Sequence, residues 1–191
     1  MKCIPRSGWI SHGVAISDVE SVANHSFSTC AIALLLSDLE ARKGNKPNVE
    51  RVLRLALFHD VSETLTFDIS KEYLEYLGPK GKKIKSELEV AAWKHIAAGL
   101  NNPSLSRTYS KVQAEFQNEK TFESKVVHAA DALDILLEIN EYTRRGYPAH
   151  LFEDIWKQTV KRLRSSSIVS VDNLLNDLIQ EHGKVRSSRL K

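Results

Sequence analysis

Apolar residues recur along this chain at three- and four-residue intervals, the spacing that gathers one face of an α-helix. Val22, His25, Thr29, Ile32 and Leu36 follow it and predict a helix from about Asp18 to Arg42, opened by a Ser17-x-x-Glu20 capping box and stopped before Gly44. A second stripe, Val49, Val52, Leu53, Ala56 and Leu57, follows the N-cap candidate Asn48 and carries His59-Asp60 at its end. Further helices are predicted over 82–98, 107–117, 122–145 (ending at Gly146), 149–164 and 171–181. In the 122–145 helix the expected inward face holds Val127, Ala130, Asp131, Asp134, Ile135 and Leu137. Residues 1–17, broken by Pro5, Gly8 and Gly13, read as irregular, and 64–71 as a loop. The expectation is an all-α fold, one domain over 1–191 with about seven helices, and a frayed basic tail over 183–191.

Composition narrows the classes of function. A net charge of +3 and no basic stripe interleaved with aromatics argue against nucleic-acid binding and leave room for a small anionic substrate. No apolar run approaches the length of a membrane span, so no membrane partner is expected. Only two cysteines, Cys3 and Cys30, without a CxxC pair, suit a reducing compartment, and a cytoplasmic location is expected.

Chemistry enters through polar residues set where apolar ones belong. His25 sits on the inward face of the first long helix, His59-Asp60 closes the second, and Asp131 interrupts the apolar face of the 122–145 helix. A lone inward histidine is usually a hydrogen-bonded core residue, but a buried carboxylate has to be paired, hydrogen-bonded or metal-bound. Two imidazoles and two carboxylates from three helices form a ligand set for one divalent transition metal (Mn²⁺, Co²⁺, Ni²⁺, Fe²⁺ or Zn²⁺), with Mg²⁺ less natural beside two histidines. Glu63, four residues after His59 and not needed as a ligand, is placed to hold or deprotonate a water. By themselves Arg6 reads as a surface arginine or a phosphate contact, Trp9 as an anchor for the N-terminal segment, and Asp68 as a loop brace.

The order H…HD…D on helices resembles the HD-domain phosphohydrolase superfamily. Ile4-Pro5-Arg6-Ser7-Gly8-Trp9 followed by Glu20-Ser21-Val22-Ala23-Asn24-His25-Ser26 is similar to the PRTGW…ESVAEHS opening of its 5′-deoxynucleotidase branch. Leu55–Glu63 is similar to its LALxHDxxE, Thr66-Phe67-Asp68-Ile69 to its xGDI, and Lys125–Leu133 to its KLVKxADKL. The resemblance covers residues 4–145 and implies hydrolysis of a nucleoside 5′-monophosphate to nucleoside and phosphate. It implies metal ligands at His25, His59, Asp60 and Asp131, and catalytic roles for Glu63 at the water, Arg6 at the phosphate and Asp68 at the sugar hydroxyl. Trp9 would lie near the nucleoside, and a homodimer is implied. Phe67 departs from the usual glycine, Ser70 from a proline and His12 from an arginine, which loosens the expectation of a deoxyribose preference.

Two rival readings set this one in relief. His95 and His128 could add a second metal, pointing to cleavage of cyclic or dinucleotide phosphodiesters. Alternatively, the domain could be a nucleotide-binding regulatory module without catalysis; the complete His, His-Asp, Glu and Asp set argues against it.

Overall fold

The computed structural model describes residues 1–188, and the chain is all-α. Among the described residues the helices of ten residues or more are α2 (Val22–Arg42), α3 (Val49–Phe58), α6 (Pro79–Gly99), α7 (Pro103–Asn118), α8 (Phe122–Arg145), α9 (Glu153–Arg164) and α10 (Val171–Ser188). They match the seven that periodicity predicts. Short α1 (Ser7–Ser11), α4 (Glu63–Thr66) and α5 (Lys71–Glu75) interrupt segments expected to be irregular, and a 3-10 turn, Ala149–Phe152, precedes α9. Helix α10 continues through Ser188, so residues 183–188 are not the loose tail the sequence suggested; 189–191 lie outside the described residues.

The predicted boundaries hold where a physical stop exists. The α8 start is capped by Thr121, whose side chain accepts the Ser124 N–H, and its end is Gly146 at φ 109°, a left-handed cap that glycine takes freely. The expected capping box at Ser17 is absent. Instead the Asn24 N–H donates to Ser21 Oγ (3.2 Å), so α2 starts four residues later, and Glu20 is released for another task.

The chain divides into two compact units, with the boundaries falling inside α2 and α3. The first unit comprises Met1–Phe27 and Arg54–Asn118. Its N-terminal segment is tied to the start of α2 by an isolated antiparallel bridge between Pro5 and Ser21, with Arg6 N–H donating to the Glu20 carbonyl (3.0 Å) and Val22 N–H to the Ile4 carbonyl (2.8 Å). Helices α4, α5 and α7 pack on α6. At the α5–α6 corner a Cβ on Gly81 would collide with the Leu74 carbonyl oxygen, so only glycine allows this approach.

The second unit comprises Ser28–Leu53 and Glu119–Lys191, with α8, α9 and α10 packed on one another over Leu133, Leu136, Ile139, Tyr142, Leu163 and Leu175. Two buried polar groups here are structural. Glu40 accepts the Ser170 N–H (2.7 Å) and the Asn45 amide (2.6 Å); these bonds outweigh burial and hold its carboxyl below the usual range. His182 donates from Nδ1 to Asn140 Oδ1 (2.7 Å) and stacks on Trp156, and burial pushes its pKa down to about 4. They set the standard against which a functional acid or imidazole is judged.

Candidate metal centre and active site

Helix α3 delivers His59 for a simple reason. Its buried face runs Val52, Leu55, Ala56, His59, while Leu57, predicted inward, is exposed. His59 therefore continues the i, i+3, i+4, i+7 stripe. Its Nδ1 lies 2.7 Å from the Ala56 carbonyl oxygen. A carbonyl only accepts, so Nδ1 carries the proton, and Nε2 of neutral His59 offers a lone pair. That lone pair faces His25 Nε2 at 3.3 Å and Asp60 Oδ2 at 3.2 Å; His25 Nε2 and Asp60 Oδ2 are 3.6 Å apart. His25 comes from the first turn of α2, buried as predicted.

Three electron-pair donors thus converge without a covalent partner among them. A point equidistant from atoms with these separations lies about 2 Å from each, close to the metal–nitrogen and metal–oxygen bond lengths of about 2.0–2.2 Å. The donor set, two imidazoles and a carboxylate, suits a transition-metal dication. The Ala56 carbonyl supplies the kind of outer hydrogen bond that orients a ligating imidazole.

Arg6 is not a solvated surface residue. Its Nη1 donates to Asp60 Oδ2 at 3.0 Å, and both side chains are largely buried. Burial alone would raise the Asp60 carboxyl; His59, Arg6 and His25 outweigh it and hold it well below the usual carboxylate range.

Glu63 opens α4, one short turn after Asp60, where its N–H donates to the Asp60 carbonyl (3.0 Å). It is buried, and its Oε2 has no hydrogen-bond partner among the described residues. Burial and the neighbouring Asp60 and Asp68 carboxylates push its pKa up to about 9, against the pull of Arg6 and Lys85. Unlike Glu40, whose two oxygens both accept hydrogen bonds, this acid has a buried oxygen without a hydrogen-bond partner among the described residues, a pattern that makes it a candidate functional carboxyl. A bound cation opposes the shift.

Asp68 does not brace its own loop, as the sequence suggested, but the N-terminal segment: its Oδ2 accepts the Ser7 N–H at 2.6 Å. Trp9 is only 4% exposed and donates from Nε1 to Glu20 Oε1 (3.0 Å), so it anchors the segment that presents Arg6 and Ser7. The sequence reading missed Glu20 in this role because the residue also completed a capping-box pattern. It also missed Phe116, whose ring lies 5.3 Å from the His59 ring, and the Lys85–Glu89 pair (3.6 Å) on α6, half-buried and within electrostatic reach of Glu63. Its i, i+4 spacing is indistinguishable in sequence from an ordinary surface pair.

In the second unit Asp131 stands mid-way along α8, its side chain 18% exposed and 3.6 Å from Arg162 Nη1. Asp134 is the more deeply buried acid, while Leu137, predicted inward, is exposed. The candidates for a second metal have other surroundings: His95 is exposed on α6, and His128 Nδ1 lies 3.0 Å from Arg162 Nη2, a donor that competes with a cation for that nitrogen.

An all-helical chain that converges two histidines and the aspartate of an HD dipeptide belongs to the HD domain family, whose profile matches residues 1–170. Relatives carry the comparison further. The chain is 29% identical over 171 residues to the 5′-deoxynucleotidase HDDC2 of Xenopus laevis, covering 90% of this chain and 78% of the relative. It is 26% identical over 183 residues to the enzyme of the same name from Danio rerio, covering 95% and 84%. Its fold is similar to the crystal structure of a Pyrococcus horikoshii protein, with a TM-score of 0.78 and 26% identity over 94% of this chain and 93% of that one. No helix among the described residues is long and apolar enough to cross a membrane.

Proposed function

We propose that this protein is a metal-dependent 5′-nucleotidase that hydrolyses deoxynucleoside, and with less discrimination ribonucleoside, 5′-monophosphates to nucleoside and phosphate. The observation that carries the reading is the convergence of His25 Nε2, His59 Nε2 and Asp60 Oδ2 close in the chain to a buried Glu63 whose Oε2 has no hydrogen-bond partner among the described residues. Asp131 is assigned as the fourth ligand on the sequence pattern. The substrate class follows from the relatives' activity and from Arg6 beside the ligand carboxylate.

When bound, a divalent ion at these residues supplies Lewis-acid polarisation of a phosphoryl oxygen and acidifies a water. Glu63 Oε2 would take a proton from an attacking water whose oxygen bonds to phosphorus as the bond from phosphorus to the 5′ oxygen breaks, and would pass that proton to the departing 5′ oxygen, which leaves as the nucleoside hydroxyl. Arg6 keeps Asp60 ionised and presents positive charge to the phosphoryl oxygens. Asp68, fixed by the Ser7 amide, accepts from the sugar hydroxyl. Trp9, assigned near the nucleoside on the family resemblance, has its ring buried and serves here to anchor the segment that carries Arg6. A homodimer and a cytoplasmic location complete the proposal; sedimentation and cell fractionation test them.

Phosphate release measured across deoxy- and ribonucleoside 5′-monophosphates, with each of Mn²⁺, Co²⁺, Ni²⁺, Fe²⁺, Zn²⁺ and Mg²⁺, tests the activity. Turnover of deoxynucleotides with a transition metal, abolished by chelation, is the expected result. Absence of phosphate release under every condition would overturn it. Arg6→Ala should lower kcat/KM by about 10²-fold, the scale for losing one preorganised charge-stabilising donor, with a smaller effect on Tm. Unaltered kcat/KM would return Arg6 to the surface class.

A further inference from the structure

We propose that the ring of Phe67, exposed on a strained corner next to Asp68, forms the nucleobase-facing wall of the active site and selects among substrates. The inference rests on the nucleotidase reading and deepens it. Phe67 terminates α4 with φ 59° and ψ 165°, a conformation essentially reserved for glycine, because a Cβ there crowds the backbone. Strain of this kind is usually offset by packing. Here the ring is 66% exposed, so burial does not offset it. A large apolar side chain held in solvent at a conformational cost points to a ligand rather than to the fold.

Its position says which part of the ligand. Phe67 follows Glu63 by four residues and precedes Asp68, whose carboxylate accepts the Ser7 N–H at 2.6 Å. That bond ties the corner to the segment carrying Arg6, and Arg6 to Asp60 at 3.0 Å. Phe67 therefore adjoins, in the chain, the residue proposed to meet the sugar hydroxyl, and a base extending from that sugar is the part of the substrate within its reach. Trp9, the other aromatic of this segment, is buried with its indole N–H on Glu20 and has little face to offer a base. Every nucleobase has a π-face, and stacking on one aromatic ring changes affinity by about tenfold or more.

The test compares nucleotides with 2-deoxyribose 5-phosphate, which has the sugar and the phosphate but no base. F67A should lower kcat/KM for deoxynucleoside monophosphates by about tenfold, purines more than pyrimidines, and leave deoxyribose 5-phosphate within about twofold; F67W should retain the preference. F67G should show the same selectivity loss while Tm rises by about 2–4 °C as the strain is relieved. Equal loss for both substrate types, or no change in any, would overturn the proposal while leaving the nucleotidase reading standing. A wild-type protein that releases phosphate from none of these substrates would overturn both.

Discussion

Replacing Asp60 with alanine is expected to remove the divalent metal and phosphate release together, with kcat/KM falling by more than about 10³-fold. Asp60 Oδ2 is the vertex shared by His25, His59 and Arg6, at 3.6, 3.2 and 3.0 Å. Its removal takes away the anionic donor of that triangle and the carboxylate that the partly buried Arg6 guanidinium contacts at 3.0 Å. Asp60→Asn keeps the shape and removes the charge, so it separates packing from electrostatics: stability should fall less than in the alanine variant, while metal affinity should fall nearly as far. Asp131→Ala should also lose metal and activity together if it is the fourth ligand. Metal content by elemental analysis, read alongside turnover, checks all three. Full activity with stoichiometric metal in either alanine variant would remove that residue from the ligand set.

Glu63→Gln should do the opposite to the two readouts: retain the metal and lower kcat by about 10²–10⁴-fold, the usual range for a general base. The amide keeps the volume and cannot take a proton from water. The same substitution has a signature in stability. Burial, Asp60 and Asp68 raise the Glu63 pKa from its ordinary value to about 9. The folded state therefore holds this proton more tightly than the unfolded chain does. The stability contributed is fully present below the unfolded pKa of about 4.3 and is lost as pH rises through about 9. In the presence of chelator, wild-type Tm should decline across that window, and Glu63→Gln should flatten this part of the decline. Added divalent ion should raise the wild-type Tm increasingly as pH rises, since it favours the ionised carboxylates. Unchanged kcat in Glu63→Gln would take the residue out of the mechanism, and identical pH–stability profiles with chelator would remove its raised pKa from the account.

The long helices were legible because each buries a face at helical spacing for ten residues or more, and because Gly44 and Gly146 end two of them at positive φ. Helices α1, α4 and α5 span at most five residues, too short to display a period, so their segments read as irregular. In α3 the expected stripe took Leu57 with Val52 and Ala56, whereas the buried face takes Leu55 with the same two residues: with leucines at 53, 55 and 57, two faces sharing Val52 and Ala56 are both apolar, and burial chose the one that continues to His59. The candidate centre was visible as misplaced polarity, with His25 and His59 on apolar faces and Asp60 next to one of them. What holds the centre was not visible. The Ser7–Asp68 bond joins residues 61 apart, and Arg6–Asp60 residues 54 apart, pairings that no local pattern encodes. Nor does a buried acid declare its role: Glu40 and Glu63 are both buried, and only the partners of their oxygens separate a bonded structural carboxyl from one whose Oε2 is unpartnered among the described residues.

We propose that His25, His59 and Asp60 hold one cation, with Asp131 assigned as a fourth ligand from the sequence pattern alone. Crystals grown with Mn²⁺ and measured at the manganese absorption edge test it most directly. A single anomalous peak about 2.0–2.3 Å from His25 Nε2, His59 Nε2 and Asp60 Oδ2, with an Asp131 oxygen as the fourth protein ligand, is the predicted result. Well-ordered side chains at these four residues with no anomalous peak between them, or a peak bound elsewhere, would contradict it.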